Sequence, residues 1–236
     1  MRDRIMIRVF LLVLSAGLLA SCATKTDSSD PPPPALAHAP PMLQKIDERA
    51  EAIIITVPTA DWPRVLAYVR DINDTWQDYK HPTVQPSTIS LRPPGTMLER
   101  ELDAAVGGLR RAAAARNVVG TMEAADEVGI CAMDLYQYYR PGIPPALRQL
   151  QVLEKRIIID AATSRLSSAS TSVRHLGTTW QQVRPDVLTR GGERTALILD
   201  ANLTDQRAAL DAGDEEALAA RAQIALTLIR ELQRLY

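Results

Sequence analysis

The chain has 236 residues and a formal net charge of −1, with 46% hydrophobic and only 4% aromatic residues. So apolar a composition excludes global disorder, and plentiful alanine with few aromatics favours packed helices over a β-sandwich. Residues 1–21 hold a surplus of two positive charges, which leaves −3 for the rest and, with no Lys/Arg stripe, excludes nucleic acid as a partner class.

Three arginines in residues 1–8 precede an uncharged run, Val9 to Ala20. A membrane-spanning helix needs about 20 apolar residues, so this shorter run reads as the apolar region of a signal peptide over 1–21. It ends in Leu19-Ala20-Ser21-Cys22. That ending resembles the bacterial lipobox: an aliphatic residue, two small residues, then cysteine. The resemblance implies a diacylglycerol on the Cys22 thiol, cleavage before Cys22, and a membrane partner held through the acyl chains, palmitate among them. Ala23 stands where aspartate signals inner-membrane retention in the enterobacterial version. The implied location is therefore the cell envelope, at the outer membrane and facing the periplasm. Residues 22–41 form the anchor and a tether with six prolines, too polar to bury a core and semi-rigid by composition. His38, alone in the tether, suggests no metal site.

The helical domain is expected over 42–236. Prolines and glycines break it at Pro82–Gly95, Pro141–Pro145 and Pro185–Gly192, leaving segments 42–81, 96–140, 146–184 and 193–236. In the first segment Trp62, Val65, Val69, Ile72, Trp76 and Tyr79 form one amphipathic stripe. Asp61 stands before it as an N-cap, and Pro63 lies in the first turn, where a missing N–H costs little.

A shift of 104 residues lays a second stripe on the first: Leu166, Ala169, Val173, Leu176, Trp180 and Val183. Nine of the 27 positions in 53–79 are identical to 157–183, including Ile53-Ile54-Ile55 and Thr75-Trp76-Gln77. Later parts match at a shift of 97, which pairs Leu102 with Leu199, Leu135 with Leu232, Tyr139 with Tyr236, and Asn117 with Asp214 as N-caps. These matches predict an internal duplication, about 46–139 and 150–236. Weaker breaks at Val57–Asp61, Arg116–Gly120, Thr163–Ser172 and Asp211–Asp214 divide each segment again. The expected fold is all-α: a duplicated helical-hairpin domain of about eight helices in two four-helix units. The alternative is one four-helix bundle of long, kinked helices.

Residues able to carry chemistry are few. Cys131 near Met122 and Met133 suggests a soft metal site, but its counterpart Leu228 marks it as a buried, inert thiol. Glu123, Glu127, Cys131 and Asp134 share helical spacing, yet a di-iron bundle needs Glu-x-x-His motifs, and only His81 and His175 lie in the domain. No metal or other cofactor is expected. Asp160 and Asp200 stand among apolar residues as candidate ligand contacts or, more plainly, as helix-edge acids facing solvent. Tyr136, Tyr138 and Tyr139 form a candidate partner patch or a cap on the core. Gly107-Gly108 reads as a point of close helix packing. No nucleophile, metalloprotease or phosphate-loop motif occurs, so no catalytic residue is assigned. The expected function is that of a non-enzymatic envelope lipoprotein whose helical domain binds another envelope component. The alternative is a periplasm-facing binder of a metal or small ligand, with its site between helices or between the halves.

Overall fold

The structure is a computed structural model that describes residues 40–81, 97–139 and 142–236. The lipobox, most of the tether, the Pro82–Gly95 break and Pro141 lie outside the described residues. Among the described residues eight α-helices carry the domain: α1 (Pro41–Thr56), α2 (Trp62–Lys80), α3 (Met97–Ala114), α4 (Val118–Tyr139), α5 (Pro145–Ala162), α6 (Leu166–Thr189), α7 (Glu193–Ala212) and α8 (Glu215–Gln233). No strand occurs among the described residues, and none of their helices is long and apolar enough to cross a membrane.

The first four helices close on one another in sequence order, α1 to α2, α2 to α3, α3 to α4 and α4 back to α1. The last four repeat the circuit, α5 to α8. The architecture is therefore two four-helix units, joined where α5 meets α1 and α4. Pro41 is already the first residue of α1, so the tether ends one residue earlier than its composition suggests. It occupies the first turn, as Pro145 does in α5, where the missing N–H is no loss.

Each unit is built around its amphipathic stripe. Trp76 is 0% exposed and Trp180 1%, and Val65, Ile72, Ala169 and Leu176 are buried beside them. The shared offsets reach beyond side chains. Ala60 and Ser164 both have left-handed φ, 58° and 55°, and Arg116 and Gly213 do so at 52° and 68°. The N-caps match as well: Asn117 Oδ1 accepts from the Gly120 N–H at 3.0 Å and Asp214 Oδ1 from the Ala217 N–H at 2.9 Å. Asp61 caps α2 by accepting from the Arg64 N–H at 3.2 Å.

Three expectations about breaks and packing need correction. Pro185 does not end α6, which runs on to Thr189. Its side chain and that of Gln181 are exposed, so water can reach the carbonyl that Pro185 deprives of a donor. The Ser/Thr-rich break shrinks to Thr163–Arg165, because burial of Ala169 and Val173 outweighs the weak helix preference of their neighbours. Gly107-Gly108 makes no tight contact. A Cβ at Gly108 would meet nothing within 4 Å, and one at Gly107 only the end of Arg111 at 3.5 Å.

Candidate ligand cleft at the seam between the units

In each unit the stripe tryptophan is tied to an aspartate and a cation. The Trp76 indole N–H donates to Asp103 Oδ1 at 2.6 Å, and Lys80 Nζ donates to the same oxygen at 2.7 Å. The Trp180 indole donates to Asp200 Oδ1 at 2.6 Å, and Arg184 Nη2 donates to Asp200 Oδ2 at 2.8 Å. Partial burial pushes both carboxyls up, but the cation and the indole outweigh it and hold each below the usual aspartate range. Asp200 is thus not a free surface acid. It is the second copy of a staple between neighbouring helices, and its place in the first unit is held by Asp103.

Some of the polar groups that differ between the units meet at the seam. Lys155 of α5, 3% exposed, forms an ion pair with buried Asp47 of α1. Gly129 of α4 makes room for that pair: a Cβ there would lie 2.8 Å from Lys155 Nζ and 2.9 Å from Asp47 Oδ1. Glu51 of α1 is paired with Arg230 of α8, and burial still raises its carboxyl above the ordinary range. The Gln233 side-chain amide donates to Gln151 Oε1 at 2.7 Å. The offsets place Gln151 on Asp47, Lys155 on Glu51 and Arg230 on Met133. A contact between two copies of one surface sets equivalent residues against each other and invites like charges to meet. Divergence at these positions turns it into a contact of opposite charges.

A cleft of about 400 Å³ opens at this seam. Asp47 and Gln44 of α1, Tyr136 of α4, Gln151 of α5, and Arg230 and Gln233 of α8 contribute to its lining. On another side, α4, α5 and α6 frame a second cleft lined by Asp126, Asp160, Arg165 and His175. Asp126 is 8% exposed, and its Oδ1 has no hydrogen-bond partner among the described residues. Burial pushes its carboxyl up to about 6, against the pull of Lys155 and Arg156.

The structure separates the other sequence candidates. Tyr136 is half-buried at the first cleft, whereas buried Tyr139 shares a 2.8 Å hydroxyl–hydroxyl hydrogen bond with Tyr79 inside the first unit. The side chain of Tyr138 lies outside the described residues. Asp160 does not face solvent: it is 5% exposed and accepts from Arg165 Nε at 3.0 Å. Its helix ends at Ala162 and turns back through Arg165, which covers it. Cys131 is buried, and burial together with Glu127 pushes its thiol up to about 11. Glu123 is paired with Arg165 and Asp134 with Arg148. Among the described residues no three His, Cys, Asp or Glu side chains group to hold a metal ion.

One buried network had no sequence signal. Glu154, 0% exposed, accepts from Gln206 Nε2 at 3.0 and 3.1 Å, and the same nitrogen lies 3.0 Å from Asn202 Oδ1. The first unit has Ala50, Leu109 and Ala105 at these places. Burial raises the Glu154 carboxyl well above its usual range and favours the neutral acid.

No protein-family model matches the chain, and no curated protein or solved structure matches it.

Proposed function

We propose that the chain is an acyl-anchored envelope lipoprotein, non-enzymatic, whose helical domain holds another envelope component at the seam cleft. The lipobox-like Leu19-Ala20-Ser21-Cys22 supports the anchor and, with Ala23, an outer-membrane location facing the periplasm. The cleft itself supports the binding role. Its walls come from both units and offer Asp47 and Arg230, opposite charges, with the amides of Gln44, Gln151 and Gln233 between them. Such a lining suits a polar partner segment rich in amides or hydroxyls, because the exposed Gln44 and Thr227 can exchange water for directional hydrogen bonds.

Photo-crosslinking in the native host tests this. A crosslinking residue at Gln44 or Thr227, both on the cleft, should trap one discrete envelope component. The same residue at exposed Arg64 of α2 should trap none of it. Equal trapping at both places, or no adduct at the cleft, would refute the assignment. The cleft volume also admits a small polar ligand, the alternative expected above. Native mass spectrometry of protein purified from the host would then show a retained small molecule that Gln151→Leu releases.

A further inference from the structure

Two grooves, one in each unit, carry the same pair of arginines. Between α2 and α3 lies a groove of about 530 Å³, with Val69 at its floor, Arg70 on the α2 side and Arg110 and Arg111 on the α3 side. Between α6 and α7 lies one of about 430 Å³, with Val173 at its floor, Arg174 on the α6 side and Arg207 on the α7 side. The offsets that superpose the helices, 104 and 97 residues, carry Arg70 onto Arg174 and Arg110 onto Arg207. Among the described residues no acid lines either groove. Both seam clefts, by contrast, contain carboxylates.

None of these arginines takes part in an ion pair within the described part of the chain, whereas Arg49, Arg184 and Arg230 each hold a carboxylate. The surroundings of Arg207 are also shaped to receive it. A Cβ at Gly177 of α6 would lie 2.7 Å from Arg207 Nη2, so the Arg207 guanidinium reaches across the groove and rests on the neighbouring helix at its glycine. Glycine inside a helix is disfavoured relative to alanine, so the seat for Arg207 is kept against local preference. With no described acid in the groove, its guanidinium groups keep their donors for an anion from outside the chain. Guanidinium forks match the planar and tetrahedral oxyanions of carboxylate and phosphate, and a second fork at the same groove favours the oxyanion with more oxygens to offer, phosphate. The apolar floor adds room for a short hydrocarbon portion beside the charge.

We propose that each groove binds one phosphate-type oxyanion carried on a molecule with an adjoining apolar part, giving two equivalent sites per chain. A lipid headgroup and a soluble phosphate ester share this chemistry, and the test separates them. Full-length protein in neutral maltoside micelles is titrated with glycerol 1-phosphate, and separately with micelles doped with phosphatidylglycerol, by calorimetry at low salt. The expected stoichiometry is two per chain. It should fall to one in Arg70→Gln/Arg110→Gln and in Arg174→Gln/Arg207→Gln, and to none in the fourfold variant. Affinity at the remaining site should be unchanged, and added salt should weaken it about tenfold or more. Binding of glycerol phosphate with this pattern assigns a soluble ester; binding of the doped micelles alone assigns a lipid headgroup. Gly177→Ala supplies a check free of charge change: it should displace Arg207 and weaken one site of the two. Circular dichroism would verify that each variant is folded. Failure of both probes to bind, or a fourfold variant that binds like the unaltered chain, would overturn the proposal.

Discussion

At the scale of single residues, burial of acids makes stability depend on pH in a direction opposite to the common one. Asp126 titrates at about 6 in the folded chain against an ordinary 3.8. Below the ordinary value both states are protonated and nothing is lost. Between the two values the unfolded chain has released its proton and the folded chain has not, so stability falls as pH rises and levels off above about 6. Asp126→Asn removes this dependence. Its gain should be about 2 kcal/mol larger at pH 7.5 than at pH 4, read from urea midpoints at the two pH values. Glu154 has the same sign, and Glu154→Gln keeps an acceptor for the Gln206 amide. That variant should be more stable than the unaltered chain at neutral pH and lose its advantage below the ordinary glutamate range. A neutral-pH midpoint at or below that of the unaltered chain would show that Glu154 is needed as an acid.

At the scale of elements, the duplication makes each half a control for the other. Trp76 and Trp180 are both buried and both donate to an aspartate, so Trp76→Ala and Trp180→Ala should each cost about 3–5 kcal/mol in denaturant midpoints. Arg116 holds the left-handed turn that Gly213 holds in the second unit. A side chain there costs about 1–2 kcal/mol in backbone strain, partly offset by a stiffer unfolded chain. Arg116→Gly should therefore stabilise by up to about 1 kcal/mol, and Gly213→Ala should destabilise by a similar amount, in thermal or urea unfolding. The stripes, caps and repeat were legible because they are local: a period, a cap residue, an offset. The seam was not. Asp47 and Lys155 are 108 positions apart and Glu51 and Arg230 are 179 apart, and each alone reads as an ordinary helix-surface charge. Gly129, which gives the first pair its room, reads as a weak spot in a helix. The arginine grooves escaped for a related reason, since no run of basic residues announces them. Asp160 was misread because its burial is supplied by Arg165, just past the end of its own helix.

At the scale of the whole molecule, the anchor and the seam set separate tests. Cys22→Ser should abolish the acyl mass and shift the chain out of the detergent phase, and a lipid-free mature Cys22 in the unaltered protein would remove the anchor from the reading. The seam differs from the interiors of the units in its material. Inside a unit, aliphatic side chains and a tryptophan staple hold neighbouring helices together. Between the units, ion pairs hold surfaces that must shed water to meet, a costlier association.

That contrast gives the chain an order of assembly. Each four-helix circuit joins helices adjacent in sequence, with one closure from its last helix to its first, so its contacts are largely local and its folding should be fast. Docking through the charged seam then comes last, and its reversal comes first. Amide hydrogen exchange should show the seam faces of α1 and α5 opening together at low denaturant, before the tryptophan-bearing α2 and α6 lose protection. Simultaneous exchange of all eight helices would mean that the two units never exist apart.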